Sequence, residues 1–233
     1  MRPLLSVVIP VYNEAATVAR LIERVRRAPI EQPLELVVVD DASTDDTGRI
    51  LDQIAASDGD GLRLIRHPHN RGKGAAVRSG IASARGEIVL IQDADLEYDP
   101  RDYPALLEPI LEGNADAVFG NRFHGGSHRV LYFWHTVGNR SLTLLTNLLT
   151  GLNMSDMEAG YKVFRAETLR QLELTADRFG IEPELVIKVA RLGCRVYEVP
   201  IRYHGRTYDD GKKITWRDGV AALYHILRYR FWG

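Results

Sequence analysis

Four acids crowd one short stretch, with Asp99 the last of them. Asp93, Asp95 and Glu97 lie in "LIQDADLEYDP" (residues 90–100), directly behind the apolar run Ile88-Val89-Leu90-Ile91. Carboxylates at that spacing repel one another unless a cation sits among them. Two aspartates one residue apart suit a hard divalent ion such as Mg2+ or Mn2+, which takes oxygen ligands and keeps positions for phosphate. Such an ion would bridge protein and diphosphate and neutralise charge on a departing nucleotide. A solvated acidic turn has the same spacing, so the D-x-D pair decides nothing alone. Its place behind a buried strand, with acids at other strand ends, favours the metal site.

A second cluster, Asp40-Asp41-Ala42-Ser43-Thr44-Asp45, combines carboxylates with hydroxyls. Ser43 to Asp46 suit a helix start, where side-chain oxygens accept from free backbone N–H groups. Asp41 has a second use, accepting hydrogen bonds from a base or ribose. No G-x-x-x-x-G-K-[ST] run is present, and no G-x-G-x-x-G follows the first strand. Both absences argue against a P-loop NTPase and a dinucleotide-binding dehydrogenase.

The elements that must hold these acids alternate along the first half. "LLSVVIP", "LELVVVDD", "LRLIRH" and "EIVLIQDAD" are short and rich in β-branched residues, which predicts buried strands. Between them, Asn13 is placed to cap a helix whose apolar face is Val18, Leu21, Ile22 and Val25. "STDDTGRILDQIAA" and "KGAAVRSGIASAR" supply two further helices. Strands joined by crossover helices imply a mostly parallel sheet with helices on both faces. In such sheets ligands sit at the carboxyl ends of the strands. Asn13 and Glu14, Asp40 and Asp41, and Asp93 and Asp95 all follow strands, so one edge collects the polar groups. Asp99, before Pro100, reads as a turn or helix-start residue. "GNRFHGGSHR" (120–129) reads as a loop.

The 233 residues suffice for one α/β domain, and 45% hydrophobic content fits a real core. A net charge of -1 gives no nucleic-acid signature. The lone Cys194 excludes an internal disulfide and reads as a small buried apolar residue. The start turns polar too soon for a signal peptide. Val130 to Leu152 is interrupted by His135, Asn139, Arg140 and Asn147, so it falls short of a bilayer span.

"VVIPVYNE", "VVVDDASTDDT", "HNRGKGAAVRSGI" and "QDADLEYDP", in that order, resemble family 2 glycosyltransferases of the GT-A fold. "GNRF", Asn139-Arg140, "DMEAGYKVFR" and "YHGRTYDDGKK" resemble the polyprenol-phosphate (dolichol-phosphate mannosyltransferase-like) branch. The resemblance implies a three-layer, Rossmann-like catalytic domain over 1–213 and a C-terminal amphipathic helix over 214–233. By position it implies that Pro10, Tyr12, Glu14 and Asp41 hold the nucleoside. Asp93 and Asp95 would face the diphosphate and an Mg2+ or Mn2+ ion, with Glu97 as a third metal contact. Arg122 and Arg140 would grip phosphate, and Arg206 with Lys212 or Lys213 would come from a loop closing over the donor. Asp95, Arg122 and Arg140 are the expected catalytic set.

Those cations are needed on charge grounds as well. Donor and acceptor would bring three phosphoryl groups into one site, and arginine binds phosphate in bidentate fashion. A phosphate acceptor is already ionised and needs no strong base. It would attack the anomeric carbon in line and invert it, with GDP-mannose or UDP-glucose as leading donors. Asp156 or Glu158 would orient acceptor or sugar, or pair with Lys162. Two rivals stand beside this reading: a family 2 transferase with a soluble saccharide acceptor and one of those two acids as base, and a non-catalytic nucleotide-sugar-binding subunit. To reach a lipid, residues 130–134, Leu142, Leu144, Leu145, Leu148, Leu149 and the tail "WRDGVAALYHILRYRFWG" would lie in the bilayer interface. That puts the protein in the cytoplasm, peripheral on the cytoplasmic face of the membrane. A membrane-anchoring partner and a homo-oligomer are both left open.

Overall fold

The computed structural model describes residues 4–58, 61–123, 132–206 and 216–232. Its centre is a seven-stranded sheet in the order β3-β2-β1-β4-β6-β5-β7. The first four strands are β1 (Leu5–Val11), β2 (Leu34–Asp40), β3 (Leu62–Arg66) and β4 (Ile88–Ile91). They pair in parallel, as the sequence predicts, with Val11 level with Asp40 and Asp40 level with Arg66. β6 (Lys162–Arg165) runs antiparallel between β4 and β5 (Ala117–Asn121), and β7 (Val196–Pro200) closes the edge parallel to β5.

Strand periodicity divides the interior in two. Val7, Ile9, Leu36, Val38, Leu90 and Val118 point into one apolar cluster. Val8, Val37, Val89, Ala117 and Phe119, one residue out of step, point into the other. The first cluster is covered by α1 (Val18–Arg26), α2 (Thr47–Asp58) and α4 (Tyr103–Leu111). The second is covered by α3 (Lys73–Ser83), α5 (Phe133–Thr150), α6 (Ala166–Arg170), α7 (Ile181–Arg191) and α8 (Trp216–Phe231). This is the three-layer sandwich expected from alternating strands and helices.

Two local expectations are corrected. Asn13 does not cap α1, which starts five residues later at Val18. Asn13 sits instead at φ 52°, and its side chain reaches across to the second strand end, accepting from the Thr44 N–H at 2.8 Å. An asparagine tolerates that left-handed backbone better than most residues. Its bond to Thr44 fixes the β1 and β2 ends to each other. Tyr229, expected in the bilayer interface, is buried with Ala222 and Ile226 on the inner face of α8. Asp99 starts a 3-10 turn at Pro100–Asp102, accepting from the Arg101 N–H at 3.0 Å, in line with its reading as a helix-start residue.

Candidate active site

The acids of β4 meet their first counter-charge from a residue the sequence reading left without a role. Lys73, the first residue of α3, places Nζ 2.7 Å from Asp93 Oδ1 and 2.7 Å from Glu182 Oε1. Burial opposes the ammonium charge, but Asp93 and Glu182 hold it well above the usual lysine range. The position of Lys73 is itself built. Glu184, wholly buried, accepts from the Thr175 and Ala176 N–H groups at 2.7 and 2.8 Å. The loop so fixed crosses the start of α3, where Ala75 donates to the Asp177 carbonyl at 3.0 Å. The crossing is so close that a Cβ on Gly72 or Gly74 would overlap the Asp177 or Ala176 carbonyl. The glycines of "RGKG" are therefore steric requirements for placing the lysine.

Asp41, expected at the nucleoside, is buried and engaged by the same loop. Its Oδ1 meets His67 Nδ1 at 2.6 Å and accepts from the Arg71 N–H at 2.9 Å, while Oδ2 accepts from Gly72 at 2.7 Å. The carboxylate thus anchors the segment leading into Lys73. Pro10 and Tyr12 lie at the end of β1, with Tyr12 exposed.

Behind Asp93, the buried Gln92 accepts from Tyr103 Oη at 2.8 Å and Tyr161 Oη at 2.7 Å, and donates to the Asp93 carbonyl at 2.9 Å. Leu96 at φ 62° turns the chain, so Asp95 and Glu97 stay at the sheet edge. Burial, then the charges of Asp93 and Glu97, push Asp95 up to about 7. Glu97 does not complete a three-carboxylate cage. Its Oε1 accepts from the Arg206 N–H at 2.7 Å and its Oε2 from Tyr203 Oη at 2.9 Å. No three acid, histidine or cysteine side chains converge on a metal position among the described residues. Asp93 and Asp95 still fit a hard cation, because both are oxygen donors and Asp95 is starved of positive charge.

Arg206 lies across the mouth of this cluster. Its guanidinium donates to the Asp95 carbonyl at 2.6 Å and to Glu14 Oε2 at 3.0 Å. Glu14 also accepts from Thr17 Oγ1 at 2.7 Å. Lys212 and Lys213 lie outside the described residues.

On the far side, Arg122 follows β5. Its Nε and Nη2 each lie 2.7 Å from a carboxylate oxygen of the wholly buried Asp156. Asp156 also accepts from the Arg122 N–H at 3.1 Å and from Asn139 Nδ2 at 3.1 Å. Four donors saturate it, so of the alternatives the sequence leaves open, a pairing of Asp156 with Lys162 gives way to pairing with Arg122. Glu198 of β7 fixes this turn by accepting from the Ser155 and Asp156 N–H groups at 2.9 and 3.0 Å. Arg122 stacks over Tyr203 at 5.1 Å, and both Arg122 and Arg140 face the Phe123 ring, at 5.8 and 5.9 Å. Arg140 has no acidic partner among the described residues.

Lys162, wholly buried, donates to the carbonyls of Met157 and Ala159, and burial lowers its pKa. Glu158 is pushed up to about 7, first by burial and then by the charge of Glu182. Glu158 and Glu182 each carry one buried oxygen without a hydrogen-bond partner among the described residues.

The fold and this edge of acids and arginines fit a glycosyltransferase, and comparison agrees. The profile of "Glycosyl transferase family 2" matches residues 6–173, and the chain belongs to that family. The chain is 35% identical to "Undecaprenyl-phosphate mannosyltransferase" of Micrococcus luteus, over 96% of this chain and 97% of that one. It is 30% identical to "Dodecaprenyl-phosphate galacturonate synthase" of Rhizobium johnstonii, over 96% of this chain but 64% of that longer protein. A crystal structure of glucosyl-3-phosphoglycerate synthase from Mycobacterium tuberculosis, with Mn2+, UDP and phosphoglyceric acid, superposes with a TM-score of 0.75 at 24% identity. It covers 98% of this chain and 79% of that one, and establishes the shared fold. The protein is a glycosyltransferase.

Two outcomes follow from the charges. Lys73→Met leaves Asp93 and Glu182 without their shared cation, so unfolding free energy from urea titration falls by about 3–5 kcal/mol. Glu158 has a folded pKa of about 7 against an ordinary 4.5, so the folded state holds its proton more tightly and loses stability as pH rises through that window. Glu158→Gln is therefore near neutral at pH 5 and stabilising by about 1–3 kcal/mol at pH 8. Equal effects at both pH values would contradict the assignment.

Proposed function

We propose that the protein transfers a hexose from a nucleotide sugar, GDP-mannose or UDP-glucose, to a polyprenyl phosphate, with inversion at the anomeric carbon. One observation carries this reading: Asp156, an acid placed to act as a base, is wholly buried and saturated by Arg122 and Asn139. The site offers arginines and withholds a base there. That suits an acceptor that arrives ionised. The names of the two relatives specify polyprenyl-phosphate acceptors but different sugars, so they support the acceptor class and not the sugar.

In this reading Pro10, Tyr12 and Glu14 border the nucleoside, with Asp41 fixing the loop behind them. Asp93 and Asp95 would hold an Mg2+ or Mn2+ ion, and Glu97 holds Tyr203 and Arg206 in place. The ion supplies charge neutralisation on the leaving nucleoside diphosphate. Lys73 keeps Asp93 oriented toward the same point. Arg206, with Lys212 from the adjoining segment, covers the donor. Arg122, aimed by Asp156, and Arg140 take the acceptor phosphate through charge-assisted hydrogen bonds. An acceptor oxygen forms the new bond to the anomeric carbon as the bond to the diphosphate breaks. Positioning and charge stabilisation carry the rate.

Membrane contact is part of the proposal. Phe133, Trp134, Leu144 and Leu148 on α5, Tyr224 and Phe231 on α8, and Trp232 just after it are exposed, while Leu142, Leu145 and Leu149 pack inward. No helix among the described residues is long and apolar enough to cross a membrane. An interfacial position with basic Arg228 and Arg230 nearby suits the outward residues. Val130 and Leu131 lie outside the described residues. A second reading, a soluble acceptor with Glu158 as base, is favoured by the pKa of about 7 at that acid.

Radiolabelled GDP-mannose and UDP-glucose, each with and without polyprenyl phosphate, separate the readings. Labelled lipid should form only with metal and polyprenyl phosphate, and Asp95→Asn should lower its rate by about 10²-fold or more. Near-wild-type transfer by Asp95→Asn would remove the metal assignment. In liposome flotation the full chain should float with anionic vesicles, and Trp134→Ser with Leu148→Gln should float several-fold less. Equal flotation would remove α5 from the membrane surface.

A further inference from the structure

Two acids at the site have no part in transfer to a polyprenyl phosphate as derived so far. Glu182, from α7, is tied to Asp93 through a shared lysine, and Glu158 lies two residues before Gly160 in the segment that passes Asp93 ahead of β6. One ammonium, Lys73 Nζ, spans Asp93 and Glu182 at 2.7 Å each. The 158–160 segment passes the same place: Gly160 lies so near Asp93 that a Cβ would overlap Oδ2, and its N–H donates to Tyr98 Oη at 2.8 Å. The charge of Glu182 acts directly on Glu158. Glu158 Oε1 and Glu182 Oε2 are buried and have no partner among the described residues, although Glu182 is only 6% exposed.

Buried acceptors are normally paired, and unpaired ones mark places where a ligand completes the bonding. An ionised carboxylate accepts and never donates. A protonated one also donates, so the partner that suits Glu158 and Glu182 in either state is a hydroxyl, which donates and accepts, arriving beside the acid that faces the diphosphate. The group attached to that diphosphate is the sugar. We propose that Glu158 and Glu182 form the hexose subsite, accepting hydrogen bonds from ring hydroxyls and selecting a neutral hexose over a uronic acid.

This rests on the donor-site reading above and deepens it. Selectivity follows from charge. A uronate would set a further carboxylate beside Glu158, Glu182 and Asp93, whose charges Lys73 and Lys162 already have to balance, and added like charge there disfavours binding. A hydroxyl in the same place relieves the unpaired oxygens. Sites built to bond a substrate hydroxyl discriminate strongly against analogues that lack or replace it.

The test uses the full chain with Mn2+ and four probes: UDP, UDP-glucose, UDP-glucuronate and GDP-mannose. Binding is measured by calorimetry and transfer by labelled-lipid formation. Wild type should take the neutral hexose over the uronate by about 100-fold or more in kcat/KM. Glu158→Gln should keep the affinity for UDP within about twofold, weaken the neutral donor about tenfold, and shrink the discrimination about tenfold. Glu182→Gln should shrink it likewise, and thermal melts of both variants report folding. Discrimination unchanged in a folded Glu158→Gln would overturn the proposal. So would equal losses for UDP and UDP-glucose, or a loss of kcat alone with a shifted pH profile, which would make Glu158 a base. Absence of transfer from every donor in the wild type would instead sink the polyprenyl-phosphate reading, while the binding arms would still judge the subsite.

Discussion

Parallel strands ending on one edge bring acidic loops together, and carboxylates in a partly buried cleft must be given positive charge. The rest of the site depends on how that requirement is met. Lys73 meets it for Asp93 and Glu182, and Arg206 bridges Glu14 and the chain at Asp95. Asp95 stays undersupplied and is pushed up to about 7. The resident cations thus hold the acids in position without fully neutralising them, which leaves attraction for an incoming divalent ion.

The supports for this balance are far apart in the chain and tied by short hydrogen-bond relays. Glu184 fixes the 175–176 loop, that loop fixes the start of α3, and α3 presents Lys73. Glu198 fixes the 155–156 turn, that turn presents Asp156, and Asp156 aims Arg122. In each relay a carboxylate satisfies backbone N–H groups and so sets where a cation stands. A guanidinium held on two sides by one carboxylate keeps its orientation, which is what bidentate phosphate recognition needs.

The parallel strands were legible because β-branched runs and their period-two burial are local signals, and Val7, Val8 and Ile9 alternate between the two cores as expected. The edge location of Asp93 and Asp95 followed from strand ends alone. Lys73 was not legible as a site residue: "RGKG" was read as part of a motif, and only the crossing of the 175–177 loop reveals why the lysine is held there. Glu182 was hidden because an acid in the first turn of a helix ordinarily stabilises the helix end. The resemblance implied Glu97 as a third metal contact, and its hydrogen bonds to Tyr203 and Arg206 from the returning 203–206 segment could not be foreseen from the sequence. Tyr229 looked like an interfacial aromatic by composition, whereas helix phase turns it inward with Ile226. Long-range pairings, unlike periodicity, leave little trace in a single sequence.

The central claim is that the acids of β4 and the cations around them form one metal and diphosphate site. Calorimetric titration of UDP and GDP into the full chain, with Mn2+ and again with chelator, tests it most directly. The preferred nucleoside diphosphate should bind at least about tenfold more tightly with Mn2+, with the ion gaining the same factor from the nucleotide by linkage. Equal affinity in metal and in chelator would contradict it.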